Sequence, residues 1–219
     1  EYFALLSHSG SRGLGAAIAK QYTQAAIKQC PLPRQVQHLA WLNLDTHDGQ
    51  EYWKAMNLAG AYAKACHDDI HARLTKKLGL RILMTIENHH NFAWKETVNG
   101  SECIVHRKGA TPAGKGELGI IPGSMTAPGF IVRGMGNDSS LNSASHGAGR
   151  VFSRSECKSR FTKSELMKTL DNAGVSLIGG AIDEAPMAYK NIHHVMGNQR
   201  ELVETIGTFV PRIVRMDKN

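Results

Sequence analysis

Histidine is the most informative residue type in this chain. Of its eleven histidines, five stand at the ends of apparent strands or in glycine-rich loops: His8, His89, His90, His106 and His146. Side chains at strand ends converge readily on one site. A neutral imidazole binds manganese, zinc or iron and is also a nucleophile near neutral pH. His8 in "SHSGSRG" and the pair in "ENHHNF" are therefore candidate metal ligands. "SASHGAGR", residues 143–150, sets His146 among small residues. Such residues let a ligand approach the backbone and are not expected to fill a core. A second histidine pair, His67 and His71 in "HDDIH", shares a helix face at a spacing of four. Asp68 and Asp69 stand where a metalloprotease helix needs its glutamate, so packing and polar contacts are the expectation there.

The cations follow the glycines. "HSGSRG", "HRKGAT", "IPGSM" and "HGAGR" combine glycine with Ser, Thr, Lys or Arg, and backbone N–H groups in such turns can cradle phosphate oxygens. Arg12, Arg107, Lys108, Lys115, Arg150 and Arg154 could add charge-assisted bonds. No P-loop pattern is present, and "GLGAAIA" matches a dinucleotide fingerprint only in part. The net charge of +7 suits a polyanion partner as well as it suits a plain solvated basic surface. Four cysteines, none in a CxxC pair, exclude a zinc ribbon and a dithiol redox motif. Free thiols fit a cytoplasmic location. No apolar run reaches the length of a membrane span, so no membrane partner is expected.

The elements that must position these groups read as follows. "YFALLS" is a strand entering the first glycine loop, and "AAIAKQYTQAAIKQC" is a helix. Residues 50–78 form the longest helix, with Trp53, Met56, Leu58, Tyr62, Cys66, Ile70 and Leu74 as its apolar stripe. "RILMTI" is a strand running into "ENHHNFAW", and "ECIVHRKGAT" is a second one. Short strands with close turns fill 109–136. Thr162 and Glu165 make a capping box that opens a helix over 162–172. "VSLIGG" is a short buried strand and "NQRELVETIG" a last helix. No linker composition appears, which argues for one α+β domain, 1–219, of mixed sheets with flanking helices.

"HSGSRG", "ENHHNF", "HRKGAT", "PGSM" and "NSASHGAGR", in this order, resemble the RtcB family of RNA ligases over essentially the whole chain. The resemblance implies joining of an RNA 3′-phosphate or 2′,3′-cyclic phosphate to a 5′-hydroxyl, with GTP and two Mn²⁺ ions, in tRNA splicing or RNA repair. It implies that His146 becomes covalently guanylated, that the GMP passes to the RNA 3′-phosphate, and that the 5′-hydroxyl then displaces GMP. By the same match, His8 and His90 are metal ligands, the second histidine of the pair being the matching one. Asn91, Ser124 and Arg150 are nucleotide or phosphate contacts. Arg12, Lys108 and Arg154 contact RNA or phosphate. The family's guanine-contacting lysine falls on Arg215 or Lys218. RNA ends such as tRNA halves, and GTP or GMP, are the implied partners.

The sequence departs from the family at its front. The family's Asp-x-Gly-Cys and Gly-Asn-His-Phe motifs, which bring further metal ligands, are not found here. The chain also begins at Glu1 rather than a methionine, so the expectation is the C-terminal portion of a longer ligase. The alternative is a degenerate or fragmentary RNA- or nucleotide-binding module without ligase activity. A metal-dependent phosphohydrolase using the same histidines is a third reading.

Overall fold

The structure is a computed structural model that describes residues 2–180 and 182–216. Its contacts divide the chain into two compact units, residues 1–84 and 85–219. Helices and sheets are mixed, as the sequence indicates.

In the first unit, helix α1 (Arg12–Gln29) packs on the long helix α2 (His47–Leu78). The Thr46 hydroxyl accepts from the Gly49 N–H to start α2, and Gly79 ends it at φ +64°. The buried positions are the small ones: Ala26 on α1, Ala59 and Ala63 on α2. Tyr22 and Tyr52 stack alongside, ring centroids 5.2 Å apart. The predicted apolar stripe of α2 is not the buried face, since Leu58, Tyr62, Ile70 and Leu74 are exposed. Helices that approach on alanines leave larger apolar residues to other faces.

Both strands predicted for this end of the sequence are absent as strands. "YFALLS" and 81–86 are without regular structure, and Phe3, Ile82, Leu83 and Met84 are exposed. β-propensity describes how well a residue fits a paired, half-buried surface, and neither segment has a ladder partner among the described residues.

The second unit holds the sheets. Strands β1 (Asn91–Val98) and β2 (Ser101–Lys108) form an eight-by-eight antiparallel hairpin. Asn99 and Gly100, at φ 49° and 79°, supply the two-residue turn that matches strand twist. β3 (Ala110–Pro112) pairs with β6 (Ser143–Ser145). β4 (Leu118–Ile121), β5 (Gly129–Gly134) and β8 (Val203–Phe209) make a three-stranded sheet in that order. β7 (Ser176–Ile178) runs parallel to β9 (Ile213–Arg215).

The last helix therefore falls elsewhere than predicted. Helix α5 spans Ile192–Gly197, and the second half of "NQRELVETIG" is strand β8. Its Val203, Thr205 and Ile206 are β-branched, and β5 provides the partner that makes extended backbone the better choice. β7 is less buried than expected: Val175 just before it is core, while Ile178 is exposed. Helix α4 (Lys163–Asn172) begins with the predicted box, Thr162 accepting from the Glu165 N–H and Glu165 accepting from the Thr162 N–H. The Thr162 backbone N–H, and then its hydroxyl, hold the Glu165 carboxyl below the usual carboxylate range. Helix α3 (Arg154–Arg160) carries the same motif from Ser153 and Glu156.

One core gathers Ile121, Phe130, Val132, Ala144, Ala148 and Ile192; a second gathers Met125, Leu166, Leu170, Val175 and Ala185. Ala144 and Ala148 correct the sequence reading of "SASHGAGR", for they are 2% and 4% exposed and do fill a core. Small residues there let the loop lie directly on the sheet, with His146 carried between two anchors.

Candidate active site around His146

Two sheets converge at His146. At the open end of the β1–β2 hairpin, Asn91 stands opposite Lys108, so His90 and Gly109 flank one rung. The Gly109 N–H donates to the His90 carbonyl at 3.0 Å. One residue further on, Ala110 pairs with Ser145 in the β3–β6 ladder, which places His146 beside Gly109. The His90 and His146 rings lie 4.6 Å apart between centroids at 32°. "ENHHNF", "HRKGAT" and "SASHGAGR", which lie far apart in the sequence, thus meet at one point.

The His146 ring is oriented by backbone. Its Nδ1 lies 2.7 Å from the Gly109 carbonyl oxygen. A carbonyl can only accept, so Nδ1 is the donor, and in the neutral imidazole this tautomer leaves the lone pair on Nε2. Gly109 sits at φ +74°, a conformation L side chains rarely adopt. The Ser145 hydroxyl donates to the Gly147 carbonyl, and the buried Gln199 side chain accepts from the Ser145 N–H.

The segment with Ser124 abuts this loop. The Ala148 N–H donates to the Pro122 carbonyl at 3.2 Å. The Ser124 hydroxyl accepts from the N–H groups of Thr126 and Ala127, which fixes the turn. Gly123 is packed against the Pro128 carbonyl, where a side chain would collide. Asn88 joins "ENHHNF" to the sheets: its amide donates to Thr111 Oγ1 and the Ile120 carbonyl, and its oxygen accepts from the Ile120 N–H. The sequence analysis missed Asn88 and Gly109. An asparagine beside a histidine pair and a glycine after two cations carry no signal of their own until the strand pairing is known.

The candidate cations divide in two. Lys108 is exposed next to His146's partner Gly109. Arg154 is also exposed, with one bond at 2.7 Å to Glu184. Arg107 and Arg150 are used inside the protein. Arg107, 3% exposed, forms a two-pronged pair with Glu96 at 2.6 and 2.9 Å, donates to Ser143 Oγ and the Leu141 carbonyl, and lies over Trp94. Arg150 donates to the Phe152 carbonyl, Glu184 Oε2, Tyr189 Oη, Cys157 Sγ and the Asp183 carbonyl.

The remaining predicted residues lie apart from this cluster in the chain. His8 and Arg12 belong to the first unit, where Ser9 beside them bonds His67 through its N–H and hydroxyl. That bond supports the polar-contact reading of His67. Arg215 sits on β9, donating to the Met216 carbonyl next to the second core. Lys218 lies outside the described residues. Among the described residues no group of three or more His, Cys, Asp or Glu side chains could hold a metal ion. His90 offers suitable imidazole chemistry for manganese, but the donor set falls short of a complete site.

The family model described as tRNA-splicing ligase RtcB matches residues 2–217. The RNA-splicing ligase RtcB of Escherichia coli (strain K12) is 38% identical over 220 residues, covering 93% of this chain and 53% of that protein. The tRNA-splicing ligase RtcB of Nanoarchaeum equitans is 32% identical over 232 residues, covering 90% of this chain and 48% of that protein. The chain spans about half the length of these curated relatives. A match over this extent means that the chain belongs to the RtcB family.

Proposed function

We propose that this chain carries the nucleotidyl-transfer site of an RNA ligase that joins 3′-phosphate or 2′,3′-cyclic phosphate ends to 5′-hydroxyl ends. One observation carries the reading: the Gly109 carbonyl holds His146 Nδ1–H, which turns Nε2 away from it as the available nucleophile, at the open end of the hairpin where Lys108 is exposed. In the first step Nε2 attacks the α-phosphorus of GTP, a P–N bond forms, and pyrophosphate leaves with the electrons of the broken P–O bond. The Nδ1 proton stays on the ring, where the Gly109 carbonyl balances the cationic character that develops. In the second step an oxygen of the RNA 3′-phosphate displaces the imidazole and takes the GMP. The 5′-hydroxyl then attacks the phosphorus of the RNA 3′-phosphate, loses its proton and expels GMP with the electrons of the broken P–O bond. A cyclic phosphate is first opened by water. Lys108 and Asn91 at the hairpin end, Arg154, and the turn of Ser124 are the phosphate and nucleotide contacts of this reading, with Arg215 or Lys218 toward guanine.

Manganese is the metal the family resemblance implies, with His90 a candidate ligand beside His146, yet the described donors do not complete a site, so no step is routed through it. Incubation with α-labelled GTP and Mn²⁺ should leave acid-labile GMP on the protein. His146→Ala should carry none. Equal labelling of the two proteins refutes the mechanism.

The incomplete metal set favours one other reading, an RNA- or nucleotide-binding module without ligation. It predicts RNA binding that weakens steeply with salt while no GMP becomes attached.

A further inference from the structure

The loop that carries His146 is tied down after the histidine by the Arg150 guanidinium together with backbone bonds. An arginine has five N–H donors. All five donors of Arg150 have acceptors inside the protein: the Phe152 and Asp183 carbonyls, Cys157 Sγ, Tyr189 Oη and Glu184 Oε2. Its guanidinium also lies over the Tyr189 ring, 5.1 Å from the centroid. Backbone bonds run the same way, Lys190 N–H to the Gly149 carbonyl and Val151 N–H to the Ala188 carbonyl. Glu184 is the hub. One carboxylate oxygen takes Arg150 and the Tyr189 hydroxyl, and the other takes Arg154 at 2.7 Å.

We infer that Arg150 is not a phosphate ligand but a positioning residue, held by Glu184 and Tyr189, that fixes the loop bearing His146 so that its ring keeps the Gly109 bond. A guanidinium whose donors are all engaged has none for a phosphate without breaking this cluster. Glu184 at the same time points Arg154 outward, with its other donors open to solvent, so the two cations divide the tasks of holding the loop and meeting an anion. In its link to His146 chemistry the inference rests on the function proposed above.

The test reads the His146 ring and its guanylation separately, in the full chain. Long-range nitrogen–proton NMR of the ring, recorded without nucleotide, should show one tautomer with the proton on Nδ1. In Glu184→Gln that signature should become a mixture. The rate of GMP attachment should fall about tenfold or more, because small displacements of a nucleophile are costly, while half-saturating GTP stays within about twofold. Tyr189→Phe, which keeps the ring over Arg150, should change both readouts in the same direction by less, about two- to fivefold in rate. It serves as the measure if Glu184→Gln fails to fold. Arg150→Lys should behave like Glu184→Gln, since an ammonium cannot replace a five-donor fork. If it instead leaves the tautomer intact and raises half-saturating GTP, Arg150 binds phosphate and the inference is overturned. An unchanged tautomer and rate in Glu184→Gln also overturn it. The tautomer needs no GTP. Wild type that takes no GMP, with the tautomer still lost in Glu184→Gln, would sink the ligase reading and leave the positioning role standing.

Discussion

Arg107 and Arg150 bracket the same histidine and are built in opposite ways. Arg107, on β2, is sealed: its side chain is 2% exposed and its two nitrogens grip both oxygens of Glu96. It fixes the strand before His146 through Ser143 and the Leu141 carbonyl. Arg150 is 25% exposed, meets Glu184 through one N–H, and spreads its other donors over neutral acceptors. Each has an exposed basic residue close behind in the sequence, Lys108 and Arg154. A cation written in the sequence beside a glycine loop can thus present itself to an anion or hold the loop that does. Strand alternation decides which at Arg107 and Lys108, since neighbours on β2 face opposite sides.

The difference is open to measurement, and the sealed pair should give the larger effect. Glu96→Ala leaves a buried guanidinium without its carboxylate and should cost about 3–5 kcal/mol in urea unfolding. A loss below about 1 kcal/mol would mean that Arg107 finds water or another partner, and the contrast with Arg150 would collapse. On the other side, Tyr189→Phe removes one hydroxyl from a network that keeps its remaining bonds. It should cost about 1 kcal/mol at neutral pH. A cost as large as that of Glu96→Ala would make the second cluster as indispensable to folding as the first.

How far this was legible in the sequence varies with the range of the interaction. The capping box at Thr162 and Glu165 is local chemistry over four residues, and it is where the sequence places it. The meeting of His90 with His146 is half legible. The motifs mark both histidines, but the contact depends on the β1–β2 and β3–β6 registers, which no short stretch contains. Strand β1 itself carried a usable signal in Asn99–Gly100, a two-residue hairpin turn between β-prone runs. The strand predicted at 81–86 and the helix predicted over "NQRELVETIG" failed for one shared reason. Apolar residues show that a segment must be covered, while the partner that covers it decides between extended and helical backbone. The internal partners of Arg150 were illegible on the same ground, because its acceptors Asp183, Glu184 and Tyr189 lie more than thirty residues away.

The smallest effect separates the two clusters by pH. The Tyr189 phenol is pushed up to about 12, first by burial, then by its hydrogen bond to Glu184 and that carboxylate's charge, with Arg150 pulling the other way. In the unfolded chain a tyrosine loses its proton near pH ~10. The folded protein keeps the Tyr189 proton to higher pH, so the contribution of this group is complete below about pH 10 and drains away as pH rises toward 12. Tyr22 and Tyr52 are also raised, both chiefly by burial, so alkaline loss in the wild type alone does not single out Tyr189. The difference between wild type and Tyr189→Phe does. That difference should be constant through the neutral range and shrink across the alkaline window. The cost of Glu96→Ala should not change there, since the partners of its pair are Ser143, the Leu141 carbonyl and the Trp94 ring, none of which titrates in that window. A Tyr189→Phe cost that stays flat through the alkaline window would mean that the hydroxyl is solvated in the folded protein. Glu184 would then hold Arg150 and Arg154 without it.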